Sequence, residues 1–435
     1  MAEVKAFRAL RYTDKDSISD CVCPPYDIIN DKQREDYIQK NKHNIIRLEK
    51  PTGQNAYSDA KKLYLDWSEN NILACDRKEG FYVYEEEFSA YGERKKIRGF
   101  FARVRLEEFS KGIVLPHEET LSKAKQDRFE LMCATGCNFS PIYSMYSDPD
   151  SSVSSKISSC SQGKPEIEFT SEDGIVQRLW KIENPADIGF IQDSLSDKQL
   201  FIADGHHRYE TALKYRDKLK ADGVITDSSH SANYIMMFLI DIENSGLVVF
   251  PTHRVVKGLE GFDADTVCRK AEKYFDICQI SESEISSRLD TPANDKAFIM
   301  CTKGKKYFFM KLKDFSKNSD TFKRISEMNP GKTEAYTSLD VTVLHSLILE
   351  DILGIDKQNM ANQQNLVYTR DMNEAFLQVS NDENVNCAFL INPTKVSQIK
   401  DAALAGEKMP QKSTYFYPKL ITGLVMNRLL DTKEL

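Results

Sequence analysis

One junction constrains this chain more than any other feature. Leu200-Phe201-Ile202-Ala203 is a short apolar run of strand type that ends in Asp204-Gly205, and a helical pattern from about His206 to Lys220 follows at once. The first backbone N–H groups of such a helix have no intrahelical partner and lie at the positive end of its dipole. Gly205 permits the sharp turn and lets an anion approach the backbone closely. Arg208 can grip phosphate oxygens with its planar fork, and His206 or His207 can add hydrogen bonds. Asp204 can cap the helix or hold a divalent ion beside the phosphates, which makes it the candidate metal ligand. The run Asp204-Gly205-His206-His207-Arg208 therefore reads as a phosphate- or nucleotide-binding turn. The bland alternative is a helix cap whose histidines satisfy nearby carbonyls.

Around this junction, helices and hairpins mix without regular strand–helix alternation, which predicts an α+β fold. Residues 54–72 space their apolar side chains as one face of a helix. Residues 81–84 and 97–104 read as strands of a hairpin, 118–135 as a helix, 141–146 as a strand and 341–353 as one strongly apolar helix. The stretch 148–165, rich in Ser, Asp and Pro, reads as a linker or surface loop. Three regions are expected: an N-terminal α/β region at 1–110, a phosphate-binding core with a Ser-rich insertion at 111–257, and a C-terminal α/β domain at 258–435.

A chain of 435 residues is long enough for two or three domains and a cleft. Its net charge of −7, with no concentrated basic surface, argues against nucleic acid as a partner. Charges are scattered through the first eight residues, and no apolar run approaches the roughly 20 residues of a membrane span, so a cytoplasmic protein is expected. The ten cysteines include no Cys-x-x-Cys pair and read as reduced thiols. Zinc at His117-Glu118 is disfavoured, because Leu121 stands where a His-Glu-x-x-His helix needs its second histidine.

A second element, Leu115-Pro116-His117-Glu118-Glu119-Thr120, places carboxylates where a strand is expected to give way to a helix. Such a carboxylate can deprotonate a hydroxyl, although Glu-Glu at a helix start also suits the dipole. Three further polar clusters are candidates for substrate contact. Tyr26-Asp27 follows two prolines, His253-Arg254 is expected to close a strand and meet an anion or surface acids, and Lys412-Ser413-Thr414 with Lys419 brackets three aromatic residues.

Together, Leu115-Pro116-His117-Glu118-Glu119, Ser140-Pro141-Ile142-Tyr143 and Asp204-Gly205-His206-His207-Arg208 resemble the ParB/sulfiredoxin-like superfamily over residues 110–220. Within it the likeness is to the free serine kinases. That resemblance implies a ParB/sulfiredoxin-like core with additional α/β regions on both sides. It also implies Glu118 as the base, with Glu119 second and His117 beside them, and Asp204, His206, His207 and Arg208 as ligands of nucleotide phosphates and Mg²⁺ (or Mn²⁺). The long Ser-rich insertion departs from the small kinases. Over nearly its whole length the chain also resembles a prokaryotic family catalogued as a domain of unknown function. The motifs that carry this are Pro24-Pro25-Tyr26-Asp27, Ile202 to Ala212, Pro251-Thr252-His253-Arg254 and Lys412 to Lys419.

The expectation is phosphoryl transfer between a nucleoside phosphate (ATP or ADP) and a small hydroxylated metabolite, serine or phosphoserine, in either direction. A phosphoserine phosphatase and a non-enzymatic ParB-like nucleotide switch are the alternatives. Small molecule and nucleotide are the expected partners, and the oligomeric state is left open.

Overall fold

The computed structural model describes residues 2–119, 122–289 and 295–435. Thr120 and Leu121, assigned above to the stretch that starts a helix, lie outside the described residues. The fold is mixed α+β, and the chain divides into two compact units. The first comprises Met1–Pro116, Thr120–Val248 and Pro418–Leu435; the second comprises His117–Glu119 and Val249–Tyr417.

The first unit is built on a nine-stranded sheet. Its order runs Val114–Leu115, Leu200–Asp204, Ile142–Tyr146, Tyr234–Asp241, Glu93–Arg105, Phe81–Ala90, Val176–Ile182, Ile167–Thr170, with Val4–Lys5 paired to Glu93–Arg105 off this path. Two pairings are parallel, Leu200–Asp204 with Val114–Leu115 and Tyr234–Asp241 with Ile142–Tyr146. The central hairpin turns tightly because Tyr91 (φ +53°) and Gly92 (φ +78°) both take the left-handed conformation, whose twist matches that of the flanking strands. Tyr234–Asp241 is buried along its whole length, as expected of a strand covered on both faces. Helices Ser122–Thr135 and His206–Ala221 pack together, joined by an ion pair between Lys125 and Glu210 at 2.8 Å.

The second unit carries a six-stranded, wholly antiparallel sheet. Its order is Phe275–Ile280, Lys306–Leu312, Ala297–Thr302, Val385–Leu390, His253–Lys257, Leu366–Thr369. Val255, Ile299, Ala388 and Leu390 form its core against the helix Met372–Asn381.

Three local expectations are corrected. The Ser-rich stretch 148–165 contains a helix, Ser152–Cys160, held by Val153 and Ile157, buried four residues apart on one face. The apolar segment 341–353 is not one α-helix: Asp340–Val343 opens into a π-helical run, Leu344–Glu350. His253-Arg254 opens its strand instead of closing one. Among the described residues, no helix is long and apolar enough to cross a membrane.

Candidate functional site

Strand Leu200–Asp204 is buried from Leu200 to Ala203 and delivers Asp204 to the point where the chain turns. Gly205 makes that turn at φ +98°, a conformation that favours glycine, and stands as the N-cap of His206–Ala221 with no side chain capping it. A β-carbon at this position would come within 3.0 Å of the Arg208 guanidinium, so the glycine also gives the arginine its room.

Asp204 does not cap the helix. One of its oxygens accepts a hydrogen bond from Arg208 Nη2 at 2.6 Å, and the other pairs with Lys419 Nζ. Burial alone would push the Asp204 carboxyl up, but the charges of Lys419 and Arg208 outweigh it and hold it well below the usual carboxylate range. Arg208 is itself nearly buried and also donates from Nη1 to the carbonyl of Pro141, where the strand Ile142–Tyr146 begins. Two positive charges and one negative leave the turn with a net positive charge. Both oxygens of Asp204 are engaged by cations. Among the described residues, no three His, Cys, Asp or Glu side chains gather as a metal site. A Mg²⁺ or Mn²⁺ ion carried in on nucleotide phosphates would have to compete with Arg208 and Lys419 for the Asp204 carboxylate.

Behind the turn lies a second layer that the sequence reading missed. Arg128, on the helix Ser122–Thr135, sits 3.9 Å from the ring centre of Tyr26 and donates to the backbone carbonyl of Glu49 at 2.7 Å. The Glu49 carboxylate lies 3.4 Å from Arg128 and accepts from the Ser140 hydroxyl at 2.7 Å. Burial pushes the Glu49 carboxyl up, and Arg128, Ser140 and Arg208 pull it only part of the way back. The Tyr26 phenol, under the fields of Arg128, Asp27 and Arg208, is pushed up to about 12, chiefly by burial. Tyr26 and Asp27 thus occupy a 3₁₀ turn whose electrostatics are shared with the Asp204–Arg208 turn.

A third acid, Glu86, is fully buried on the strand Phe81–Ala90, where burial pushes its carboxyl up to about 8. One oxygen accepts from the Tyr84 hydroxyl at 2.9 Å, and the other has no hydrogen-bond partner. Tyr143 feels the charges of both Glu86 and Asp204.

The second unit gathers the other candidates. Glu118 is not at a helix start: it bridges Met409 in extended conformation and accepts from the Lys412 backbone N–H at 2.5 Å. His117 is fully buried, with Nε2 3.1 Å from the Thr414 hydroxyl. Ser413 donates to the carbonyl of Pro410, which ties the segment down locally. Glu119 is exposed. His253 accepts from the Ile391 N–H at 3.3 Å, and burial together with Arg254 brings it down to about 4, so it is neutral. Arg254 is almost completely buried and donates to the carbonyls of Thr252 and Lys412 and to His345, with the charge of Glu118 acting on it. Tyr26, Asp27, the Asp204–Arg208 turn and Lys419 belong to the first unit. His117, Glu118, Glu119, His253, Arg254 and Lys412 to Thr414 belong to the second.

The chain is thus a mixed α+β protein with a cationic strand–glycine–helix turn. It belongs to the family described as "Protein of unknown function (DUF1015)", whose model matches residues 4–342. No curated protein matches it. Among solved structures, it is similar to a conserved hypothetical protein from Pyrococcus furiosus, at 14% identity over 77% of this chain and 96% of that one, with a TM-score of 0.34. A mutant of free serine kinase in complex with AMP matches at 14% identity over 78% and 94%, with a TM-score of 0.37. SbnI from Staphylococcus aureus with a C-terminal truncation matches at 11% identity over 75% and 86%, with a TM-score of 0.35.

Proposed function

We propose that the Asp204–Arg208 turn binds the phosphates of a nucleotide and that the protein moves a phosphoryl group between that nucleotide and a small hydroxylated metabolite, serine or phosphoserine. The observation that carries this reading is the turn itself. A glycine in left-handed conformation opens an uncapped helix, and Arg208 and Lys419 overbalance the one carboxylate between them. Phosphoryl transfer needs mainly positioning and neutralisation of charge, and a turn with fixed cations and backbone donors supplies both. Arg208 is anchored by two of its five N–H donors and so enters the reaction pre-oriented.

The ParB/sulfiredoxin-like core and the base are assigned from the motif resemblance. In the kinase direction, Glu118 takes the proton of the acceptor hydroxyl. The resulting oxygen forms a bond to the terminal phosphorus, and the nucleoside diphosphate leaves. The reverse direction consumes phosphoserine and returns the proton to the serine oxygen.

The test is ³¹P NMR of the full chain with serine plus ATP, phosphoserine plus ADP, and phosphoserine in buffer alone. Appearance or loss of phosphoserine only in the presence of nucleotide supports the proposal. Phosphate release in buffer alone makes the protein a phosphatase, and nucleotide binding without turnover makes it a switch. Glu118→Gln is expected to lower turnover by roughly 10²–10⁴-fold with nucleotide affinity unchanged. Full turnover in both Glu118→Gln and Glu119→Gln removes the base assignment and leaves the phosphate site standing.

A further inference from the structure

The second unit contains a small cavity of about 120 Å³, room for a molecule of only a few heavy atoms. All of its wall comes from that unit. Part of the wall is the π-helical run Leu344–Glu350, which contributes His345, Ser346 and Glu350. Widened turns of this kind are rare and occur frequently at functional sites.

Three features of the wall point to one kind of occupant. First, the Thr342 hydroxyl is buried at 1% exposure, lines the cavity and has no hydrogen-bond partner. Leaving such a group unmatched costs about 1–3 kcal/mol, which a polar ligand relieves. Second, two carboxylates line the cavity, Glu119 and Glu350, and among the described residues neither forms an ion pair. The Tyr336 phenol, on the same wall, is pushed up to about 12 by burial and by the charges of Glu119, Glu407 and Glu350. Glu407 is already neutralised by Lys332 at 2.8 Å, so the unbalanced negative charge is that of Glu119 and Glu350.

Third, the cation on the wall, Lys357, has its donors taken by neutral oxygens, so two carboxylates stand against one positive charge and the wall stays net negative. Lys357 donates to the carbonyl of Met328 at 2.7 Å and to Asn329 Oδ1 at 3.2 Å. Arg254 donates to carbonyls and to His345 Nε2, which leaves the neutral His345 protonated on Nδ1. Among the described residues, the wall does not supply the His, Cys, Asp and Glu cluster that a metal ion needs. Rings and Met360 provide apolar surface beside the acids.

We propose that this cavity binds a small primary ammonium ion, whose three N–H donors are taken by Glu119, Glu350 and the Thr342 hydroxyl. The inference does not rest on phosphoryl transfer. A primary ammonium brings three donors and one positive charge, matching one unmatched hydroxyl and two unpaired carboxylates. A quaternary ammonium has the charge but no donor, and an alcohol offers a hydroxyl but no charge.

The experiment is calorimetric titration of the full chain with n-propylammonium chloride, n-propanol and tetramethylammonium chloride. Saturable one-site binding of propylammonium, at least about tenfold tighter than either comparator, is expected. Glu350→Gln, and separately Glu119→Gln at its exposed position, should each weaken it by about tenfold, and Thr342→Val by several-fold. Propylammonium binding no tighter than propanol overturns the proposal. So does an affinity unchanged in both glutamine variants, each first shown by thermal unfolding to be folded.

Discussion

Asp204 and Glu86 are two acids of the same unit whose charges both reach Tyr143, and they are driven in opposite directions. Asp204 sits at a strand end where two cations meet it, and attraction wins over desolvation. Glu86 sits in mid-strand beside two neutral groups, the Tyr84 phenol and the Gln177 amide, and desolvation wins. The contrast teaches that burial alone does not set the state of an acid in this sheet. A facing cation pulls the other way, as Arg98 and Arg178 do for the buried Glu85 on the same strand, and among the described residues no ion pair reaches Glu86. Asp204 is held as a charge and Glu86 is stored as an acid.

The largest effect expected from breaking this contrast is at Glu86. Its folded-state value lies above its unfolded one, so between about pH 4.5 and 8 the folded protein keeps a proton that the unfolded chain has released. Stability should therefore fall as pH rises through that window, by up to roughly 5 kcal/mol in total. Denaturant unfolding of Glu86→Gln across the same range should lose most of that slope, and an unchanged slope would place the proton elsewhere.

Next comes Arg208→Ala, which should weaken nucleotide binding and lower turnover by about 10²-fold, measured by calorimetry beside steady-state kinetics. Arg208→Lys should recover only part, because a point charge does not reproduce the fork that holds Pro141 and Asp204 together.

A smaller effect belongs to Lys419→Met. The depressed Asp204 value means its pairing contributes stability above the unfolded carboxylate range and loses it as pH falls through the folded value. Removing Lys419 should cost about 1 kcal/mol at neutral pH, discounted for partial exposure, and the difference should shrink on acidification below about pH 4. A loss that persists at low pH would mean that packing, not charge, is what Lys419 contributes. Of similar size, Gly205→Ala should destabilise by about 1–2 kcal/mol in thermal unfolding, from the left-handed backbone and the crowded Arg208 guanidinium.

The turn was legible in the sequence because all its parts are contiguous: an apolar run, a glycine and a helix within ten residues or so, each read by its own local rule. Its supporting layer was not. Glu49, Arg128 and Ser140 meet across separations of 79 and 91 residues, and no local pattern joins them. Glu86 did leave a trace. Glu85-Glu86-Glu87 stands inside a strand, and alternation forbids three successive side chains from facing the same side, so at least one had to point inward. The Ser152–Cys160 helix was hidden by serine-rich composition, although Val153 and Ile157 carried the spacing of a buried face. The burial of Arg254 was not legible, because the carbonyls of Thr252 and Lys412 that hold its guanidinium leave no side-chain pattern in the sequence.

The first unit closes on its last eighteen residues, Pro418–Leu435, which bring Lys419 to Asp204 and pair Asn427–Arg428 with Cys137–Asn138. For a chain made from its N-terminus onward, this fixes an order of birth. Asp204 emerges from the ribosome more than two hundred residues ahead of the lysine that will neutralise it, and the main segment of the second unit, Val249–Tyr417, is synthesised in between. During that interval the nascent sheet holds its acid with one cation instead of two. The turn reaches its final charge only once residue 419 has been made, and a ribosome stalled before it leaves behind a chain in which Asp204 has never met Lys419.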